Sequence, residues 1–286
     1  MCRNDPVILA PSHAGMLDRF LLRHAGSSLI LLSNSRTAGL DDQGKIFQGT
    51  YAAVLDGGEI AGVAAHFWNG MVFLQAPVNA PGLVRAAVAA SGRECTGIAG
   101  PYDQVQQALP VVLKHGCAPA MNSRDTLFSL DLNELVVPGL LVRSDIACRH
   151  PADTEIPGLI DLRIAYMKEL TGTDLRLSVG AEARDLVQSQ QEAGNLWVLV
   201  RDQTIVATTA IGAESAGMVQ VGGVYTHPDC RNRGYGRAVV AGSLLEARDR
   251  GARTAILFTG TDMPAARAAY RALGFLPIGE YGLVMI

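Results

Sequence analysis

The chain has 286 residues, 49% of them apolar and 18% charged, and a formal net charge of -3. That length suits two domains of average size, and the composition can fill two cores and is too poor in charge for a disordered protein. The near-neutral balance argues against a general nucleic-acid or anionic-membrane binder, and no run of about 18 apolar residues suggests a membrane-crossing helix.

Taken in chain order, the same succession of elements occurs twice. In the first half a helix is expected over Ser12–His24, followed by apolar strands at Thr50–Leu55, Glu59–Phe67 and Met71–Ala76. Asp56-Gly57-Gly58 between the first two is a hairpin signal. A helix over Pro81–Ser91, a strand at Thr96–Ala99, a helix over Tyr102–Lys114 and a strand at Thr126–Leu132 complete this half. The second half is expected to open with a strand at Leu140–Arg149 and helices over Pro157–Leu170 and Ala181–Ala193. A hairpin follows, Leu196–Arg201 and Thr204–Ile211 around Asp202-Gln203, and then a strand over Met218–Thr226. The pattern continues with a helix at Tyr235–Arg250, a strand at Thr254–Phe258, a helix at Pro264–Leu273 and a strand pair over Phe275–Ile286 broken at Gly279. Hairpins followed by strand-helix-strand units make an α+β fold with a mixed, mainly antiparallel sheet. The boundary is expected near Pro138-Gly139, giving lobes 1–137 and 138–286.

Five cysteines (Cys2, Cys95, Cys117, Cys148, Cys230) are scattered and never spaced C-x-x-C, so the expectation is reduced thiols in a cytoplasmic, untargeted protein. The histidines at 13, 24, 66, 115, 150 and 227 lack metal-ligand spacing, and no metal is expected.

The most informative stretch is Gly222-Gly223-Val224-Tyr225-Thr226-His227-Pro228-Asp229-Cys230-Arg231-Asn232-Arg233-Gly234-Tyr235-Gly236-Arg237, a strand entering a glycine-punctuated loop that opens a helix. Such a loop leaves backbone N–H groups unpaired at the positive end of a helix dipole, which suits a pyrophosphate, and Arg231, Arg233 and Arg237 add charge. The pattern R-x-x-G-x-G is weak in a chain with 31 glycines. A dinucleotide fingerprint is excluded because Val239 stands where its third glycine would be, and no Gly-Lys-Ser/Thr of a P-loop is present.

About 35 residues on comes Ala266-Arg267-Ala268-Ala269-Tyr270-Arg271-Ala272-Leu273-Gly274-Phe275. The two motifs together resemble the GCN5-related N-acetyltransferases (GNAT), with wording closest to the FR47-like subgroup, over about residues 195–286. The resemblance implies two tandem GNAT-like lobes, each a sheet flanked by helices, with acetyl-CoA as co-substrate. It implies that the backbone of Val224, Tyr225 and Thr226 pairs with the pantetheine arm. The loop Arg231, Asn232, Arg233, Gly234, Tyr235, Gly236 and Arg237 would hold the pyrophosphate. Tyr270 would lie near the sulfur as the acid for the departing thiolate. Met263 stands where the family often has Asn, which puts one cofactor contact aside.

In the first lobe Pro77-Val78-Asn79-Ala80-Pro81-Gly82 replaces the glycine-rich loop, and two prolines remove amide donors, so this lobe reads as a degenerate copy that covers the sheet and walls the acceptor pocket. The implied reaction is acetyl transfer to a primary amine of a small molecule or amino acid. A longer acyl donor, or an acyl-CoA-binding module without turnover, is the alternative. Homodimer formation stays open. Asp161, Glu169, Glu214 and Glu280 are candidate bases or plain surface carboxylates, and His227 is a candidate base or a solvated loop residue. Cys148, near His150, reads as an inert thiol.

Overall fold

The computed structural model describes residues 5–113, 117–171 and 178–286, leaving aside the side chains at 170, 171, 178, 179 and 182. Cys2, His115 and the expected helix end at Lys114 lie outside the described residues. In chain order the elements are β1 (Val7–Ile8), α1 (Ala14–Arg23), α2 (Ala25–Ala38), β2 (Gly49–Asp56), β3 (Glu59–Phe67), β4 (Met71–Gln75), α3 (Ala80–Ser91), β5 (Gly97–Pro101), α4 (Tyr102–Val112) and β6 (Met121–Asp131). They continue as β7 (Ile146–Arg149), α5 (Ile156–Thr171), α6 (Ser178–Glu192), β8 (Leu196–Arg201), β9 (Thr204–Ser215), β10 (Met218–Thr226), α7 (Tyr235–Asp249), β11 (Thr254–Gly260), α8 (Pro264–Arg271) and β12 (Leu276–Met285). The chain divides into two compact units, one of 1–127 with 258–261 and 277–286, the other of 128–257 with 262–276.

In the first unit the strands run in the order β1-β2-β3-β4-β5-β12-β6. Consecutive strands from β1 to β4 pair antiparallel, β4 and β5 pair parallel, and β12 lies antiparallel to β5. The β2–β3 hairpin turns through Gly57 and Gly58 at φ of 59° and 85°, two left-handed residues in succession, as a type I′ turn demands. Leu83, Val84, Ile98, Val105 and Val284 meet in a core that is fully buried.

In the second unit the order is β6-β11-β10-β9-β8-β7. β7 to β10 form antiparallel pairs, and β10 joins β11 in parallel across the α7 crossover. Alternation along β8 explains its unbroken apolar run. Trp197 and Leu199 join the α7 cluster with Val239, Val240 and Leu244, while Leu196, Val198 and Val200 join α5 and α6 through Leu159 and Val187. Each fully buried Leu or Val contributes about 1.5–3 kcal/mol of burial, so α7 is held far more by packing than by propensity.

Four expectations need correction. The first helix starts at Ala14 after a short 3₁₀ turn at Pro11–His13, and a second helix, α2, follows it. α2 is obscured in sequence because its Leu29–Leu32 run is flanked by Ser27 and Ser28. Those serines compete with helix by side-chain hydrogen bonding and here donate to Gln75 Oε1 at 2.8 and 3.1 Å. Only Ile146–Arg149 of the 140–149 stretch is strand, since Gly139–Val142 forms a 3₁₀ turn. The C-terminal residues form one strand, β12, through Gly279, because Gly279 is not among the glycines of positive φ that would turn the chain.

Candidate active site

The decisive feature of the second unit is a parting of two strands. β10 is in register with β11 only at Met218, Val219 and Gln220, opposite Thr254, Ala255 and Ile256. On its other side β10 stays with β9 out to Thr226, through irregularities at Gln220/Val221 and Gly222/Tyr225. Among the described residues, β10 from Val221 to Thr226 therefore has no registered partner on the β11 side. Gly223, at φ 59°, sits in the irregular stretch, where the bulge bends the strand away. A strand edge with unpaired N–H and C=O groups accepts another extended segment. Val224, Tyr225 and Thr226 lie on this edge.

β10 runs directly into the loop. A 3₁₀ turn at Pro228–Cys230 is closed by Cys230 N donating to His227 O at 2.8 Å and Arg231 N donating to Pro228 O at 3.2 Å. Asn232 and Gly234 then take left-handed φ of 61° and 80°. The first amide paired into α7 is Ala238, which donates to Gly234 O at 3.0 Å. Among the described residues, none of the amides from Asn232 to Arg237 donates a hydrogen bond. Alternating left-handed residues ahead of a helix N-terminus make an anion-binding concavity to which the helix dipole adds. A Cβ on Gly236 would come to 3.3 Å of Thr226 Oγ1, so glycine lets the start of α7 close against the end of β10.

The side chains of the loop divide. Arg231 is engaged: its Nη2 donates to both Glu169 oxygens at 2.8 Å, its Nε donates to Thr226 O at 3.1 Å, and its guanidinium stacks 5.4 Å from the Tyr225 ring centre. Arg233 is exposed, and Arg237 folds back so that a Cβ on Gly234 would sit 3.3 Å from its Nη2. Tyr235 points into the core, where its hydroxyl accepts from Arg201 Nη1 at 2.9 Å, so only its backbone faces the loop. Tyr270 of α8 is buried between Phe128 and Phe275, with ring centres 6.4 and 6.1 Å away. Burial, and then the neighbouring Tyr166, push its phenol pKa upward, so it stays protonated.

α5 supplies Arg163 and Tyr166, which sequence reasoning missed, beside the candidate carboxylate Glu169. Arg163, Tyr166 and Glu169 recur every three residues and so line one helical face. Tyr166 packs edge-on to Tyr225 at 5.9 Å and carries the Arg163 guanidinium 5.0 Å from its ring centre. Glu169 accepts from Tyr225 Oη at 2.8 Å as well as from Arg231. Burial works against its ionised form, but the Arg231 and Tyr225 hydrogen bonds outweigh burial and hold the carboxyl below its usual range. The i, i+3 spacing was visible, but nothing in the sequence said which face of α5 met β10.

Other candidates stand apart. Asp161 and Glu214 are exposed, His227 lies on an exposed loop 3.8 Å from Asp229, and Glu280 belongs to the first unit, where Arg124 binds it through Nε and Nη2. The Cys148 thiol is pushed up to about 12 by burial and by Glu246, which makes it unreactive. His150 Nδ1 lies 2.9 Å from Leu196 O and its Nε2 2.8 Å from Glu246, which also accepts from Trp197 Nε1 at 2.7 Å, a network that ties β8 to α7.

Residues 162–275 match the family model described as Acetyltransferase (GNAT) family. The chain carries a GNAT acetyltransferase domain. A mycothiol acetyltransferase of Cellulomonas flavigena is 40% identical over 85 residues, which are 30% of this chain and 24% of that protein, so the alignment spans about a quarter of the relative. At the level of fold the likeness runs the whole length. A Drosophila protein of solved structure superposes with a TM-score of 0.67 at 12% identity, covering 99% of both chains. A tandem GNAT protein from the clavulanic acid biosynthesis pathway superposes with a TM-score of 0.58 at 14% identity, covering 99% of this chain and 98% of that one. The tandem GNAT arrangement is thus matched in fold across both units.

Proposed function

We propose that this protein is an acetyl-CoA-dependent N-acetyltransferase acting on the primary amine of a small molecule or amino acid, with one working site per chain, in the second unit. That unit departs from the expected lobe of 138–286 by beginning at 128 and leaving out 258–261 and 277–286. The observation that carries the proposal is the run of unpaired amides from Asn232 to Arg237, placed where β10 leaves β11. The two features fit the two ends of one ligand. A pyrophosphate suits the amides of the loop and helix dipole, and a pantetheine arm suits the open edge at Val224, Tyr225 and Thr226.

In the proposed reaction the neutral amine attacks the thioester carbonyl, a carbon–nitrogen bond forms, and the carbon–sulfur bond breaks. Free amides of the β10 edge are suited to stabilise the oxyanion. Tyr270, kept protonated by burial, gives its proton to the departing thiolate and regains one as the attacking nitrogen, positively charged after attack, loses its own to leave the amide. The positive charge of Arg233 and Arg237 supports phosphate binding, while Arg231 braces the loop through Glu169.

The test is titration of the protein with acetyl-CoA by calorimetry, alongside CoA release with an amine panel. One site per chain and amine-dependent release are expected. Absence of binding would overturn the proposal, and binding without release over a broad panel would leave an acyl-CoA-binding module.

A further inference from the structure

Among the described residues no carboxylate pairs with the cation of Arg163. It projects from α5 into a pocket whose wall is mostly apolar, with Leu159, Val187 and Leu196, but includes the polar side chains of Gln190 and Thr208, and which is closed on the strand side by Gly223 and Tyr225. Its Nε is buried and has no hydrogen-bond partner. Glu169 is taken by Arg231 and Tyr225, and Asp161 is exposed. Burial lowers its pKa from the ordinary arginine value, although a guanidinium remains charged at neutral pH. Arg163 is half-buried: its Nε is enclosed without a partner, while its outer nitrogens stay within reach of a ligand, and an unpaired Nε of this kind is costly to enclose.

Position gives the reason a role. A Cβ on Gly223 would lie 2.8 Å from Arg163 Nη1, so the guanidinium rests directly on the backbone of the parted strand, one residue before Val224. Glycine is required there twice, for its φ of 59° and for this contact. The tyrosine that carries the guanidinium, Tyr166, also acts electrostatically on Tyr270. Arg163 therefore stands at the start of the open β10 edge, one residue before Val224. The pocket itself, about 20 Å³, has room for about one water. That enclosed space is too small for a ligand group, so a ligand meets the guanidinium through its outer nitrogens, which are not fully buried.

We infer that Arg163 receives the carboxylate of the amine acceptor, which makes the acceptor an α-amino acid. This rests on the acetyltransferase reading and narrows its substrate class. The planar fork of a guanidinium matches a carboxylate through two parallel hydrogen bonds, and Arg163 next to Val224 leaves the α-nitrogen, only two bonds from the carboxyl carbon, facing the edge proposed for the thioester arm. Arg163 is a specificity residue in this assignment and touches no reacting atom.

The experiment compares CoA release from acetyl-CoA with the proteinogenic amino acids and with their carboxamides. At least one acid is expected to exceed its amide by about 10- to 100-fold in kcat/KM, chiefly through KM, as loss of a charge-assisted hydrogen bond predicts. Arg163→Gln should abolish that preference with acetyl-CoA affinity unchanged, and Arg163→Lys should restore only part of it because lysine lacks the fork. Thermal midpoints recorded alongside identify a variant that fails to fold, and in that event the acid-against-amide ratio of the unaltered protein decides. Amides used as well as acids, a preference that survives Arg163→Gln, or no acid used by a protein that binds acetyl-CoA would each overturn the assignment. A protein that binds no acetyl-CoA would bring down the acetyltransferase reading itself, and calorimetry separates that failure from the others.

Discussion

Each unit has a parallel strand pair joined through a loop and a helix, and the two loops do opposite things with their amides. In the first unit β4 and β5 are in register at Met71, Val72 and Phe73 only, and Ala76 to Gly82 then lead into α3. Ala76 N donates to Gln104 Oε1 at 2.6 Å, Gly82 N donates to Asn79 Oδ1 at 3.2 Å, and Pro77 and Pro81 have no N–H. In the second unit none of the amides from Asn232 to Arg237 donates a hydrogen bond among the described residues. The first loop satisfies itself and has little left for an anion. The difference teaches that a strand-to-helix junction becomes a phosphate site through what its amides lack, and that ordinary capping removes the site while improving the helix.

The largest effect expected from this contrast lies at Tyr270, for which α4 of the first unit has no counterpart beyond its first residue, Tyr102. Tyr270→Phe keeps the ring between Phe128 and Phe275 and removes only the hydroxyl. It should lower kcat by about 10²- to 10⁴-fold with acetyl-CoA affinity and thermal midpoint nearly unchanged. Steady-state rates with calorimetry and melting curves check this, and a wild-type rate in a stable variant would remove Tyr270 as the proton donor.

Next in size is Gly234→Asp, which puts a carboxylate at a left-handed position among the free amides, against Leu140 Cδ1 at 3.1 Å. Acetyl-CoA affinity measured by calorimetry should fall by on the order of 10²-fold, combining charge repulsion with a filled cradle. Unchanged affinity would mean that the loop is not the phosphate site.

The converse change tests the capped loop. Gln104→Leu leaves the amide of buried Ala76 without its partner and should cost about 1–3 kcal/mol in denaturant unfolding. One freed amide is not a cradle, so calorimetry should still count one acetyl-CoA per chain. A second site in this variant would break the comparison.

The smallest effect is expected at Glu169, whose partly exposed pair with Arg231 is worth less than about 1 kcal/mol. Its carboxyl titrates lower when folded than the free value of about 4.3. Its contribution is therefore present above that value and is lost as pH falls through the lower folded one. Wild type and Glu169→Gln should differ slightly at neutral pH and converge in acid. A gap that widens as pH falls would reverse the assigned sign.

The sequence by itself determined the order of elements, the exact spans of β3, β8 and β10, the left-handed turn at Gly57-Gly58, and the place of the glycine-rich loop, because each follows from local periodicity or backbone freedom. It could not show α2, whose serines hydrogen-bond to Gln75, a residue about 48 positions away on β4. Nor could it show that the last strand, β12, packs with the first unit, since strand partners are chosen by long-range pairing. For the candidate site, sequence named the loop and Tyr270 but said nothing of where side chains point. Only the tertiary structure turned Arg231 onto Glu169 and Tyr235 into the core, and set Arg163 against Gly223. Those placements depend on which face of α5 meets the sheet, and that face is fixed by burial of Leu159 and Ile160 with Leu196, Val198 and Ala210, a contact between segments some 40 to 50 residues apart.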